Sequence, residues 1–207
     1  MATNVSASGK KSAVTADQAV QKLIEGNARF ASGRAIHPDQ SAERRAEVVS
    51  SQHPFAVILS CSDSRIPPEV VFDQGIGDIF VVRTAGQVID NVALGSIEYA
   101  VEHLNVPLIV VLGHDSCGAV NATVQGGKPE GHIGSLVEAI KPAVDEARNK
   151  IRSQDQLLNV SIDNNTKNIV KSISSSEPIL SEYIKNGRLL VIGGRYHLDS
   201  GKVELIK

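Results

Sequence analysis

Two stretches carry residue types that do chemistry. "CSDSR" (61–65) alternates a thiol, a carboxylate and a guanidinium directly after "FAVILS", and "GHDSCGAV" (113–120) sets His114 three residues before Cys117. Such groups at the end of a buried strand are costly to desolvate unless something pairs with them. Two Cys and one His are soft and borderline ligands suited to Zn²⁺, bound at about 2.3 Å by sulfur and about 2.0–2.1 Å by nitrogen. Three protein ligands leave a fourth position open, the pattern of catalytic zinc, whereas structural zinc usually closes with four Cys or His. Asp63 is a candidate for that fourth bond. Three metal-free readings share the spacing: two buried cysteines with a capping histidine, a Cys61–Cys117 disulfide, and a Cys117 nucleophile with His114 as base.

These residues need elements that bring them together. If the chain stays extended past the first strand, the two-residue period aims Cys61, Asp63 and Arg65 the same way, and Pro67 and Pro68 keep a helix from beginning early. On the first turn of a helix, His114 and Cys117 share a face. Four apolar runs, "FAVILS" (55–60), "DIFVVR" (78–83), "PLIVVLG" (107–113) and "RLLVIGG" (188–194), do not alternate with polar residues and read as strands buried on both faces. Helical patterns separate them at 93–104, 134–151 and 155–186, with "SISSSEP" as a helix junction. Doubly buried strands alternating with helices predict an α/β fold, a mainly parallel four-stranded sheet flanked by helices. The alternating "GKVELIK" predicts an added edge strand. In such sheets sites form beyond the carboxyl ends of the strands, where strand order reverses.

Before the sheet, residues 1–13 are small and polar and read as a disordered tail. Residues 14–207 read as one domain, with 14–50 an N-terminal helical arm. Thr15 is the expected N-cap of its first helix, Ala19, Leu23 and Phe30 lie roughly on one face, and Gly33 closes it. The arm rests on its own core or on a partner subunit; the pattern serves either.

A chain of 207 residues that is 42% hydrophobic suits one domain with a sizeable core. A net charge of −2 and basic runs no longer than Lys10-Lys11 and Arg44-Arg45 argue against nucleic acid as a partner. Two cysteines without C-x-x-C are neither a secreted disulfide framework nor a thioredoxin-type site. No apolar run reaches the roughly 18 residues of a membrane span, and "MATNVSASGKKSA" lacks the apolar stretch of a signal peptide. The expectation is cytoplasmic, with export after removal of a leader as the alternative.

With "CSDSRIPPE" and "VVLGHDSCGAV" joined by "LIEGNARF", "FDQGIGDIFVVRTAG", "GSIEYAV" and "YHLDSGKV", the chain resembles the β-class carbonic anhydrases. The match covers most of the sequence. It implies reversible hydration of CO₂ to bicarbonate and a proton, and one Zn²⁺ per chain. The implied ligands are Cys61, His114 and Cys117, with zinc-bound hydroxide as nucleophile and Asp63/Arg65 as the dyad that orients it. It further implies a homodimer or tetramer with the site at the subunit interface and N-terminal helices that embrace the partner. When Arg65 releases it, Asp63 becomes a fourth ligand in a closed state. Gln52, Phe80, Tyr99 and Gly118 match substrate-binding positions, Gln52 reaching across the dimer interface. Ile58 stands where the subclass with an inhibitory bicarbonate pocket has Trp, so that pocket is not expected. His37, His53, His103, His132 and His197 are not expected as ligands; one of them, or buffer, relays the proton. A non-catalytic scaffold of the same fold and a cysteine hydrolase are the rival readings.

Overall fold

The computed structural model describes residues 14–151 and 153–206, so the expected tail at 1–13 lies outside it. The chain opens with α1 (Ala16–Ala31) and α2 (Ala42–Glu47), enters β1 (Ala56–Cys61), and continues through α3 (Pro68–Val71) and β2 (Ile79–Thr84). Then come α4 (Asn91–Leu104), β3 (Leu108–His114), α5 (Gly118–Gln125), α6 (Ile133–Lys150), α7 (Gln154–Ser174), α8 (Leu180–Lys185), β4 (Leu190–Tyr196) and β5 (Val203–Ile206). The five strands form one sheet in the order β2-β1-β3-β4-β5, parallel except for β5, which pairs antiparallel with β4. The expected architecture, added edge strand included, is the observed one.

Period-two geometry divides the central strands between two cores. Ile58, Leu108, Val110 and Leu112 face a cluster that includes Leu23 of α1, Val120 of α5 and Ile140 of α6. Val57, Leu59, Ile109 and Val111 face the other side, against Ile97 and Val101 of α4 and Ile169 and Ile173 of α7. β1 and β3 are buried along their whole length. The expectation of double burial fails for β2, half-buried throughout, and in part for β4. β2 lies at the edge of the sheet and has a strand neighbour on one side only. The helical stretch expected at 155–186 is two helices, with "SISSSEP" at the junction. Pro67 caps α3 and Pro68 opens it, which suits a residue with fixed φ and no N–H to satisfy.

α1 rests on its own core. Thr15 and Gln18 form a reciprocal capping box, and Ala19, Leu23, Gly26 and Asn27 are buried. Asn27 donates to the carbonyls of Val71 (3.1 Å) and Gly201 (2.9 Å) and accepts from Val203 N–H (2.8 Å), tying the helix to α3 and to β5. Gly26 is there because α1 crosses the end of α3 in close contact: a Cβ would sit 1.8 Å from the Phe72 carbonyl oxygen. Gly→Ala inside a helix ordinarily gains up to about 1 kcal/mol. Here Gly26→Ala should cost about 1–3 kcal/mol, the range for forced overpacking, and a thermal melt reads the sign directly.

Candidate metal centre

Strand order turns at β1: β2 lies on one side of it and β3 on the other. Ser60 pairs with Leu112, so Cys61 and His114 end neighbouring strands at nearly the same height, over the crevice where open α/β sheets place their sites. Cys117 comes in from the next loop. The ligand atoms of Cys61, His114 and Cys117 all lie within 4.8 Å of one another, and the three residues are buried.

The local routes to this cluster differ from those read in the sequence. Past Cys61 the chain does not stay extended: Ile66 N–H donates to Asp63 O (3.2 Å) and Arg65 N–H to Asp63 Oδ1 (2.9 Å). This is a side-chain-capped turn of the kind Asp favours. It swings the Arg65 side chain back onto Asp63 in a two-pronged fork, Nε to Oδ1 at 2.9 Å and Nη2 to Oδ2 at 2.7 Å. Nor do His114 and Cys117 share a helical turn. His114 ends β3, Cys117 is the N-cap of α5, and Ser116 between them takes a left-handed φ of 53° to make the corner.

The donor set fits a soft or borderline dication. His114 Nδ1 lies 2.8 Å from the Asp115 carbonyl oxygen, which can only accept, so Nδ1 holds the ring proton. Nε2 then presents its lone pair, fully buried and with no hydrogen-bond partner. Hydrogen bonding from the Cys117 thiol, and more weakly from the Gly86 N–H, pushes Cys61 down to about 4 against the cost of burial. The shared proton stays with Cys117, whose thiol is pushed up by Cys61 and by burial, although the Ala119 and Val120 N–H groups at the start of α5 face its sulfur. A buried thiolate, a thiol and an unsatisfied imidazole lone pair around one point are the surroundings a bound cation resolves.

Asp63 stands beside this group, Oδ2 4.0 Å from His114 Nε2. The Arg65 hydrogen bonds hold its carboxyl at about 2, so it is a carboxylate at any working pH. Arg83, missed in the sequence reading, donates to the carbonyls of Cys61 (3.0 Å) and Asp63 (2.6 Å) and so fixes the turn from below. Its signal was present: a lone cation inside the apolar run "DIFVVR". Gly86 was missed too. Its N–H donates to Cys61 Sγ at 3.2 Å from a left-handed φ of 69°, and Asn165 of α7 holds its carbonyl at 2.9 Å.

The other expected positions separate. Gly118 opens α5 beside Cys117. Gln52 is exposed ahead of β1, at the end of the sheet opposite the cluster. Phe80 pairs with Val57, four residues or roughly 13 Å along the strand from the Cys61–Thr84 pair. Its ring lies 6.5 Å from that of Tyr99, on the α4 side of the sheet. Within one chain, these three do not meet the cluster. Ile58 is plain core.

The family model for carbonic anhydrase matches residues 56–203, from the first residue of β1 to the first of β5. The chain belongs to the carbonic anhydrase family. A carbonic anhydrase of Mycolicibacterium smegmatis is 46% identical over 187 residues, covering 88% of this chain and 89% of that protein. Carbonic anhydrase 2 of Mycobacterium tuberculosis is 49% identical with the same coverage. Among solved structures, the Coccomyxa β-carbonic anhydrase in complex with acetazolamide superposes with a TM-score of 0.74 at 27% identity, covering 90% of this chain and 86% of that one. The β-carbonic anhydrase CcaA gives 0.72 at 25% identity, covering 91% and 95%. The mostly parallel sheet is thus that of the β class, whose members are zinc lyases, and the family's reaction is the hydration of CO₂. None of the described helices is long and apolar enough to cross a membrane.

Proposed function

We propose that the chain interconverts CO₂ and bicarbonate at a single zinc ion held by Cys61, His114 and Cys117, with Asp63 and Arg65 as the catalytic dyad. The observation that carries this reading is the buried, unpartnered His114 Nε2 facing two cysteine sulfurs, one of them poised as thiolate. When bound there, zinc supplies the Lewis acidity that brings the ionisation of water toward neutral pH.

The chain's own groups do the rest. Asp63, held by the Arg65 fork and ionised, accepts a hydrogen bond from the attacking water and turns its lone pair toward the carbon of CO₂. Arg65 occupies both Asp63 oxygens and holds the carboxylate beside the three ligand residues; released from that fork, Asp63 would be a fourth ligand to a bound zinc. The Gly118 N–H, at the start of α5, is a donor for bicarbonate. In this reading Gln52, Phe80 and Tyr99 complete the pocket in a homodimer or tetramer, Gln52 from across the subunit interface. Two free thiols that must stay reduced suit the cytoplasm.

Stopped-flow CO₂ hydration with zinc analysis tests the reading. One zinc per chain and a rate well above buffer are expected, with activity removed by a chelator and restored by Zn²⁺. Full zinc occupancy with only the buffer rate would leave the scaffold reading. Activity that survives chelation but not alkylation would leave the cysteine hydrolase.

A further inference from the structure

We infer that Arg195, acting through Asp115, is a positioning residue that sets the tautomer and aim of His114; the inference rests on the zinc reading above. Asp115 is pinned at every polar atom it has. Its N–H donates to Tyr196 O at 3.0 Å and its carbonyl accepts from His114 Nδ1 at 2.8 Å. Its carboxylate takes Arg195 Nε at 2.7 Å and Nη2 at 2.6 Å on Oδ1, and faces His197 Nδ1 at 3.1 Å across Oδ2.

Arg195 is itself held from the far side. Its side chain is only 13% exposed, and α7 grips it through Asp163 Oδ1 at 3.1 Å, Asn159 O at 3.3 Å and Asn159 Oδ1 at 2.6 Å. A nearly buried guanidinium thus ties β4 and α7 to the corner after β3. That corner needs a brace, because Ser116 occupies a left-handed conformation that a non-glycine residue adopts at a cost.

The brace decides what His114 can offer. With the Asp115 carbonyl fixed against Nδ1, the ring keeps its proton there and aims the Nε2 lone pair between the cysteines. If the carboxylate were released, the corner could rotate, the carbonyl would leave Nδ1, and the proton could move to Nε2, where it blocks a ligand. This is a route to metal affinity that touches neither metal nor substrate.

Zinc affinity, measured by competition against a chromophoric chelator, tests it on the full chain. Asp115→Asn, which keeps size and backbone, and Arg195→Met should each raise the zinc Kd about 10–100-fold, the usual effect of losing a group that orients a metal ligand. Arg195→Lys should recover part of the loss, since one charged contact survives without the fork. Asp163→Asn removes only a grip on the far side and should leave the Kd close to wild type. A merely structural role would lower the melting temperature of the metal-free variants and leave their zinc Kd unchanged. That result in Asp115→Asn overturns the inference while the zinc reading stands. A wild-type chain that takes up no zinc, or a Cys117→Ser variant that binds it as well as wild type does, overturns both.

Discussion

Cys117→Ser should give a folded chain that holds no zinc and hydrates CO₂ within about tenfold of the buffer rate. Enzymes commonly gain about 10⁶-fold or more over the uncatalysed reaction, so this is the largest loss any single residue here should cause. Serine is nearly isosteric with cysteine, but its hydroxyl is neither soft nor ionised near neutral pH, so one of three metal donors is lost outright. The fold should survive. Cys117 is the N-cap of α5 and makes no side-chain capping bond there that a substitution would lose, and serine is among the preferred residues at that position. The metal-free variant should therefore melt no lower than metal-free wild type, which separates loss of the ion from loss of the fold. Zinc retained at one per chain with normal turnover would sink the assignment of Cys117.

Much of this centre was legible in the sequence because it sits where local pattern is strongest. The apolar runs at β1 and β3 are buried on both faces, so their ends were readable. The strand order then does what open parallel sheets do, putting Cys61 and His114 side by side at the turning point. The corners were less legible. An extended "CSDSR" was the simplest projection of the strand, but Asp63 captures the Arg65 N–H and folds the segment back. The fork between the two side chains is a product of that local competition, not of period-two geometry. The His114–Cys117 spacing was read as one helical face, yet it spans a strand end, a left-handed serine and a helix cap. Arg83, Asn165 and Arg195 lie 20 or more residues away in sequence from the groups they hold, so no window around the motifs contains them. Gln52, Phe80 and Tyr99 mark the limit of a single chain. Register places Phe80 near the start of the edge strand β2, away from the Cys61–Thr84 end, so the pocket proposed for these residues depends on the proposed second subunit.

Asp63→Asn should keep the full zinc content and lower kcat/KM about 10²–10³-fold, the cost of removing one aimed electrostatic partner from a reaction centre. The amide preserves the shape of the carboxylate but loses its charge, and one of its two heads is a donor where Arg65 also donates. The fork at 2.9 and 2.7 Å cannot form on both sides. The pH dependence separates this role from a titrating one. Arg65 depresses the Asp63 carboxyl to about 2, below the ordinary carboxylate value. The ionised form is therefore complete above that ordinary value and is lost only as pH falls through about 2. Wild type and Asp63→Asn should then give pH–rate curves of the same shape between about pH 6 and 9, differing in height alone. Whatever limb appears in that window belongs to another group. Arg65→Gln should lower turnover in the same direction by freeing Asp63 from its fork. Because the two side chains act as one unit, the double variant should be little worse than Asp63→Asn. Losses that simply multiplied would mean that Arg65 acts on its own account, and a turnover unchanged by Asp63→Asn would remove the dyad from the mechanism.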